Sequence, residues 1–292
     1  MKIMIGIPAY NEEKNIGPLI LKLNKKYQDI LVCNDGSTDL TGEIASSLGA
    51  MVTTHERNQG YGAAIKTIFE EAKKNDVDVL ITFDGDGQHD IADIESMIDT
   101  MRKNQADIVI GSRFLSQNKE IPKYRKIGIK TITGLTNYIT NSKITDSQSG
   151  FRAYSKNSLN KIFPTETGMG ISTEILIKAA KNQIKITEIP ISISYENNKH
   201  SQEPISHGAS VIISTIKHVA IDRPLLYYGV TGLVFLVLGL IFGAWTFQIY
   251  ADEGIIMTSI GLMGVGGVIL GTILLISATI LFSIVNLIGK KE

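Results

Sequence analysis

Leu80-Ile81-Thr82-Phe83-Asp84-Gly85-Asp86-Gly87-Gln88-His89 is a short apolar run that stops on two carboxylates one residue apart. The run predicts a buried strand. A glycine between the aspartates lets the backbone turn while both carboxylates converge, which suits a hard divalent cation. Such a cation neutralises a diphosphate, so metal-assisted transfer from a nucleotide-linked donor is the leading chemistry. The same residues also make an ordinary turn after a strand. The surroundings must decide.

Outward from this strand, apolar runs alternate with helix-like stretches: 3–7 then 15–27, 30–34 then 41–48, 51–54 then 61–74, 79–83 then 91–103, and finally 108–111. That alternation predicts a parallel sheet wrapped by helices. Ligands of such sheets bind beyond the carboxyl ends of the strands. Here those ends read Pro8-Ala9-Tyr10-Asn11-Glu12, Asp35-Gly36-Ser37-Thr38-Asp39 and Asp84-Gly85-Asp86. No Gly-x-Gly-x-x-Gly follows the first strand and no Gly-Lys-Ser/Thr is present, which weakens dinucleotide and P-loop readings.

The chain has 292 residues and no formal net charge, and its first 223 residues carry 27 Lys+Arg and 26 Asp+Glu. This balance gives no support to nucleic-acid binding. A single cysteine, Cys33, excludes a disulfide framework and a cysteine zinc site, and fits a reducing compartment. The opening MKIMIGIPAY reads as a first strand rather than a signal peptide.

Composition changes at Arg223. Residues 224–251 and 254–289 are uncharged, with Asp252 and Glu253 between them. Each run exceeds the ~20 residues needed to cross a hydrocarbon core, predicting transmembrane helices at about 225–250 and 257–288. Lys217, His218 and Arg223 precede the first span, and Lys290 and Lys291 follow the second. The positive-inside tendency then predicts a multi-pass cell-membrane protein with a cytoplasmic catalytic domain. Gly261, Gly264, Gly267 and Gly271 allow close helix contact, either within the hairpin or in a homo-oligomer.

Six segments occur in a fixed order: Ile7-Pro8-Ala9-Tyr10-Asn11-Glu12-Glu13, Asn34-Asp35-Gly36-Ser37-Thr38-Asp39, Asn58-Gln59-Gly60-Tyr61-Gly62-Ala63-Ala64, Asp84-Gly85-Asp86-Gly87-Gln88-His89, Gly111-Ser112-Arg113 and Asp146-Ser147-Gln148-Ser149-Gly150-Phe151-Arg152. Together they resemble a family 2 glycosyltransferase of the GT-A fold, in the dolichyl- or polyprenyl-phosphate sugar synthase branch. The resemblance spans roughly residues 1–220. It implies that Pro8, Tyr10, Glu12, Asp35, Asn58, Gly60 and Gly85 line the nucleotide-sugar site. It also implies that Asp84, Asp86 and Gln88 ligate Mg²⁺ or Mn²⁺ with the donor diphosphate, His89 being either a secondary ligand or a plain surface histidine. Asn34 stands where many relatives have an acid, which leaves the donor open between uridine and guanosine nucleotides.

Basic residues thicken after this region: Arg113, Lys119, Lys123, Arg125, Lys126 and Lys130, with Ile121, Tyr124, Ile127, Ile132, Leu135 and Ile139 interleaved at helical spacing. A basic face beside an apolar stripe predicts an interfacial helix at about 121–140, and a second such stretch covers 209–223. Arg113 and Arg125 are the favoured grips for a lipid phosphate, because a guanidinium holds two oxygens at once. Lys130 and Arg152 are further candidates. A phosphate acceptor is already anionic and needs no strong base. Asp146 and Glu174 are the acids available if one is used, and Asp146 becomes the suspect base for a hydroxyl acceptor. Where relatives carry a Gly-x-Ser-Lys loop, this chain runs from Tyr195 to Gly208, with Lys199, His200 and His207 as candidate phosphate contacts.

The expected architecture is α/β: a GT-A Rossmann-like catalytic domain over 1–208, a juxtamembrane amphipathic helix over 209–223, and a two-helix transmembrane hairpin over 224–289. The expected reaction is metal-dependent, inverting transfer of a hexose from UDP-glucose- or GDP-mannose-type donors to dolichyl or polyprenyl phosphate. Competing readings are transfer to another membrane-bound acceptor, such as a glycolipid, and a non-catalytic sugar-nucleotide-binding module.

Overall fold

Strict alternation in β1 (Ile3–Ala9) sends Ile5, Ile7 and Ala9 to one face of a sheet and Met4 to the other. In this computed structural model, residues 1–85, 87, 89–116, 122–191, 224–255 and 257–288 are described. The chain divides into two compact units, Met1–Thr215 and Ile216–Glu292.

In the first unit β1 is joined by β2 (Asp29–Asn34), β3 (Met51–Thr54), β4 (Val79–Thr82), β5 (Ile108–Ser112), β6 (Arg152–Ser155) and β7 (Ile186–Pro190). The order is β3-β2-β1-β4-β6-β5-β7. The expected parallel sheet is interrupted at one strand, because β6 runs antiparallel to both neighbours, β4 and β5. The remaining pairings are parallel.

Helices α1 (Glu13–Leu23), α2 (Thr41–Ser47) and α4 (Ala92–Asn104) bury Ile16, Ile20, Leu23, Ala45, Ile94 and Met97 against one face. On the other face α3 (Tyr61–Lys74), α6 (Lys156–Lys161) and α7 (Ile171–Lys181) contribute Ile68, Phe69, Leu159, Ile175 and Leu176. Burying each of the Ile, Leu, Met and Phe side chains contributes about 1.5–3 kcal/mol. With both faces covered, only the strand ends are left to build a site.

Helix α5 (Lys123–Thr140) packs against α7. The expected apolar stripe is divided between two faces. Ile129, Ile132, Thr133 and Thr136 are buried against the protein, whereas Ile127 and Tyr138 are each 66% exposed. The outward apolar residues therefore stand beside exposed Lys126 and Lys130. Residues 117–121, and the expected loop and juxtamembrane helix over 192–223, lie outside the described residues.

The second unit opens on a π-helical turn, Leu225–Gly229, and continues as α8 (Val230–Glu253) and α9 (Thr258–Ile288). Both helices are long and apolar enough to cross a membrane. Asp252 and Glu253 close α8, and Gly254 follows in a left-handed conformation, with φ 67°. Thr246 and Thr272 return their hydroxyls to carbonyls four residues back, satisfying them without water.

The glycines decide the helix contact. A Cβ on Gly239 would lie 2.5 Å from the Val268 nitrogen and 2.8 Å from the Gly264 carbonyl oxygen, so the two backbones touch there. A Cβ on Gly266 would meet nothing within 4 Å. Gly239→Leu is therefore expected to destabilise the hairpin by about 1–3 kcal/mol, the usual cost of overpacking. Gly266→Leu leaves it unchanged. Unfolding in mixed micelles checks this, and equal midpoints for the two variants would contradict the packing.

Candidate active site

The loops after β1 and β2 are sewn together by short polar side chains. Asn11, at φ 55°, accepts from the Thr38 amide at 2.9 Å, and its own amide donates to Ser37 Oγ at 3.0 Å. The Glu12 amide donates to Thr41 Oγ1 and the Glu13 amide to Asp39. Burial would raise the Asp39 carboxyl, but bonds from Thr41 and from the Glu13 amide outweigh it, and its pKa is lowered. These loops present half-buried Pro8 and Glu12 and exposed Tyr10 at the strand ends. Glu12 is tied to Asn15 Nδ2 at 2.7 Å.

Asp35 lies just past β2, 3% exposed. Its Oδ1 accepts from His55 Nδ1 at 2.6 Å and from the Gln59 amide at 2.9 Å, and its Oδ2 from the Gly60 amide at 2.8 Å. Asn58 is exposed and Gly60 half-buried. His55 Nε2 stands 2.9 Å from Thr67 Oγ1 and 3.7 Å from Cys33 Sγ. The Cys33-His55-Asp35 sequence of contacts is not a nucleophilic triad, since burial and the Asp35 charge push the thiol up to about 12. Nothing in the sequence around His55 marks it for this place.

Asp84 follows β4 with its side chain 30% exposed. His89 Nε2 approaches Oδ2 at 3.3 Å and the Tyr61 hydroxyl donates to Oδ1 at 3.4 Å. Burial would raise the Asp84 carboxyl. The His89 hydrogen bond and charge, Arg113 and Tyr61 prevail, so the group is held below the usual carboxylate range. Burial and the same carboxylate push the Tyr61 phenol well up, which keeps it a neutral donor. A Cβ on Gly150 would fall 2.7 and 2.9 Å from the two Asp84 oxygens, so only glycine leaves that side open. His89 packs on Phe83 and Phe151, and its Nδ1 has no hydrogen-bond partner among the described residues.

Beyond β5, Arg113 and Asp146 form a fork. Nε reaches Oδ2 at 2.6 Å and Nη2 reaches Oδ1 at 2.8 Å, while the Arg113 amide adds 3.2 Å to Oδ2. Asp146 is fully buried and also accepts from the Gln148 amide. Behind it Glu188 of β7 accepts from the amides of Thr145 and Asp146 at 2.8 and 3.1 Å. Burial, with the neighbouring Asp146 charge, leaves the Glu188 carboxyl raised despite those bonds.

Two expected participants are placed elsewhere. Arg152 is 1% exposed and donates to the carbonyls of Ser149, Ser172 and Ser147 at 2.8, 3.0 and 2.7 Å. It ties three chain segments together, so its guanidinium serves the backbone rather than the expected lipid phosphate. Glu174 is 1% exposed and accepts from Thr165 and from the Glu166 amide at 2.9 Å, with Lys178 at 2.8 Å. Burial opposes its charge, but those donors lower its pKa. Its carboxylate clamps the 165–166 loop instead of standing as a base. That loop continues to Thr167, whose carbonyl accepts from the Ala63 amide in the first turn of α3. Arg125 is half-buried and Lys130 exposed on α5, and neither is in an ion pair among the described residues.

Asp35, the head of α3, Asp84 and Arg113 thus stand along the carboxyl ends of β2, β4 and β5. A family profile described as Glycosyl transferase family 2 matches residues 4–163, more than half of the chain. The chain belongs to that family. This family 2 transferase is 32% identical over 233 residues to the UDP-N-acetylglucosamine–dolichyl-phosphate N-acetylglucosaminyltransferase of Methanococcus voltae, covering 72% of this chain and 91% of that one. It is 30% identical over 217 residues to the dolichyl-phosphate hexose transferase of Haloferax volcanii, covering 74% and 92%. Its sheet superposes on glucosyl-3-phosphoglycerate synthase of Mycobacterium tuberculosis in complex with Mn²⁺, UDP-glucose and phosphoglyceric acid. The TM-score is 0.59 at 18% identity, over 74% of this chain and 79% of that one, a likeness of the GT-A fold.

The donor chemistry of the transferase fits a hard divalent cation. Asp84 is ionised, reachable from solvent and left open by the missing Cβ of Gly150. Among the described residues no cluster of three His, Cys, Asp or Glu is present. Asp86 and Gln88, the other expected ligands, lie outside the described residues.

Proposed function

We propose that this transferase moves one sugar from a nucleotide sugar to a polyprenyl phosphate of the dolichyl type. The two relatives named above support the acceptor class. The observation that carries the reading is the engagement of the acids. Asp146 is committed to Arg113, and Glu174 to the 165–166 loop, so neither carboxylate is available to deprotonate a hydroxyl. A phosphate monoester carries about −1.5 to −2 charge near neutral pH and attacks without a base. That favours a lipid phosphate over a glycolipid hydroxyl.

In this reading Asp35 and the β1 loop hold the nucleoside, and Arg113 and Arg125 hold the acceptor phosphate. Asp84, with Asp86 and Gln88, would hold a divalent cation, Mg²⁺ or Mn²⁺, which would supply positive charge to the departing nucleoside diphosphate. An acceptor phosphate oxygen bonds to the anomeric carbon as the bond from that carbon to the diphosphate oxygen breaks. The electron pair leaves with the diphosphate, and in-line attack inverts the anomeric configuration. Lys217, His218, Arg223, Lys290 and Lys291 flank the spans and acids fill the turn, which favours catalysis at the cytoplasmic face.

A donor panel tests this. Purified protein is incubated with labelled UDP-glucose, UDP-N-acetylglucosamine or GDP-mannose and dolichyl phosphate, with Mn²⁺ or with chelator. Label enters the lipid phase from one donor and only with the cation. Nucleotide binding without transfer from any donor would favour a sugar-nucleotide sensor instead.

A further inference from the structure

We propose that His55 is a positioning residue for nucleoside recognition, holding Asp35 so that its carboxylate offers one acceptor position to a nucleobase N–H or a ribose hydroxyl. This rests on the transferase reading above and adds a residue to it. A carboxylate has about four lone-pair positions. Among the described residues three are taken, by His55 Nδ1 and the Gln59 amide on Oδ1 and by the Gly60 amide on Oδ2. The position left is on Oδ2. A carboxylate only accepts, so the imidazole proton faces Asp35 from Nδ1, and in the neutral ring Nε2 accepts from the Thr67 hydroxyl at 2.9 Å.

His55 is itself anchored at both ends. Its amide donates to the Asn34 carbonyl at 2.9 Å, extending the β2–β3 ladder by one step, and Thr67 on α3 holds the far edge of the ring. The imidazole side chain is 10% exposed and that of Asp35 is 5% exposed. Without the 2.6 Å bond, each oxygen keeps a single amide donor and the carboxylate is held less firmly about its last torsion. The open acceptor would then lose its direction.

Two variants separate this role from bulk structure. His55→Asn puts an amide nitrogen near the place of Nδ1 and keeps a donor toward Asp35. His55→Gln puts it near Nε2, keeping the Thr67 side and losing the Asp35 bond. Both lose the ring, so a shared loss of packing falls on both. Titrating UDP and GDP in Mn²⁺ into the detergent-solubilised full chain should show His55→Asn within about threefold of the parent and His55→Gln weaker by about tenfold, the scale of one hydrogen bond to a charged group. In turnover the loss falls on the donor KM, with the dolichyl phosphate KM unchanged. Equal affinity of His55→Gln and parent, an equal loss in both variants, or a matching rise in the acceptor KM would overturn the inference. A parent that binds neither nucleotide would overturn the transferase reading, and this inference with it.

Discussion

Arg113→Lys is expected to lower turnover by about 10²–10³-fold, the scale seen when one preorganised donor to a developing charge is removed. The guanidinium is fixed by Asp146 through two parallel bonds of 2.6 and 2.8 Å, and its side chain is only 14% exposed. An ammonium group is a point charge without that fork, so it cannot keep Asp146 and orient a second anion at the same angle. Buried Asp146 would also lose a partner, so a melting curve must accompany the rate. Asp146→Asn should give a related defect, because the amide nitrogen repels the guanidinium it faces. Nucleotide affinity, set at the β1 and β2 ends, should move little in either variant. If Arg113→Lys turns over within a few fold of the parent, Arg113 does not hold the acceptor.

Asp84→Asn is expected to remove about three orders of magnitude from kcat, which corresponds to several kcal/mol of transition-state charge stabilisation. The asparagine is isosteric and retains contacts with Tyr61 and His89, so the fold should survive. What it loses is the charge. The folded Asp84 pKa is lowered, so its ionised form, and whatever stability it adds, is present above the ordinary carboxylate range and fades as pH falls through the folded value. At neutral pH the parent is therefore fully anionic there, and the variant neutral. Mn²⁺ titration followed by electron paramagnetic resonance should show weakened binding in step with the lost rate. Unchanged Mn²⁺ affinity with full activity would remove Asp84 from the cation site.

Much of the catalytic unit is legible in the sequence for a simple reason. Strands β1 to β5 and helices α1 to α4 are consecutive and locally patterned, so each apolar run could be read by itself. β6 escaped because its four residues reverse direction between β4 and β5, a choice made by non-local pairing. Arg152 opens that strand. A charged residue beside a family motif suggests a ligand contact, yet its three acceptors are carbonyls of irregular segments that only the folded chain brings together. Glu174 similarly suggests a part in the reaction, whereas its partners are Thr165 and Glu166 of the preceding loop and Lys178 of its own helix.

His55 shows the opposite failure. The β2–β3 register pairs Asn34 with Thr54, so Asp35 and His55 stand one step beyond the same rung. Knowing that register would have exposed the pair, but a register between strands is not written in either strand. In α5 the helical period is legible, but it leaves open which of its apolar residues face the protein. Ile132 is buried against the protein while Ile127 and Tyr138 are turned outward, since period alone does not say which stripe finds a partner. The hairpin glycines are legible in the sequence, and Gly264, Gly267 and Gly271 meet the facing helix within the chain.

The central claim is that the nucleophile is a phosphate on a lipid. The direct measurement is mass analysis of the lipid product after parallel reactions with dolichyl phosphate and with dolichol, using the donor that the panel selects. The account predicts a glycosyl phospholipid that keeps the acceptor phosphorus and gains one sugar, and no product from dolichol. A glycosylated dolichol without phosphorus, or equal transfer to both lipids, would contradict it.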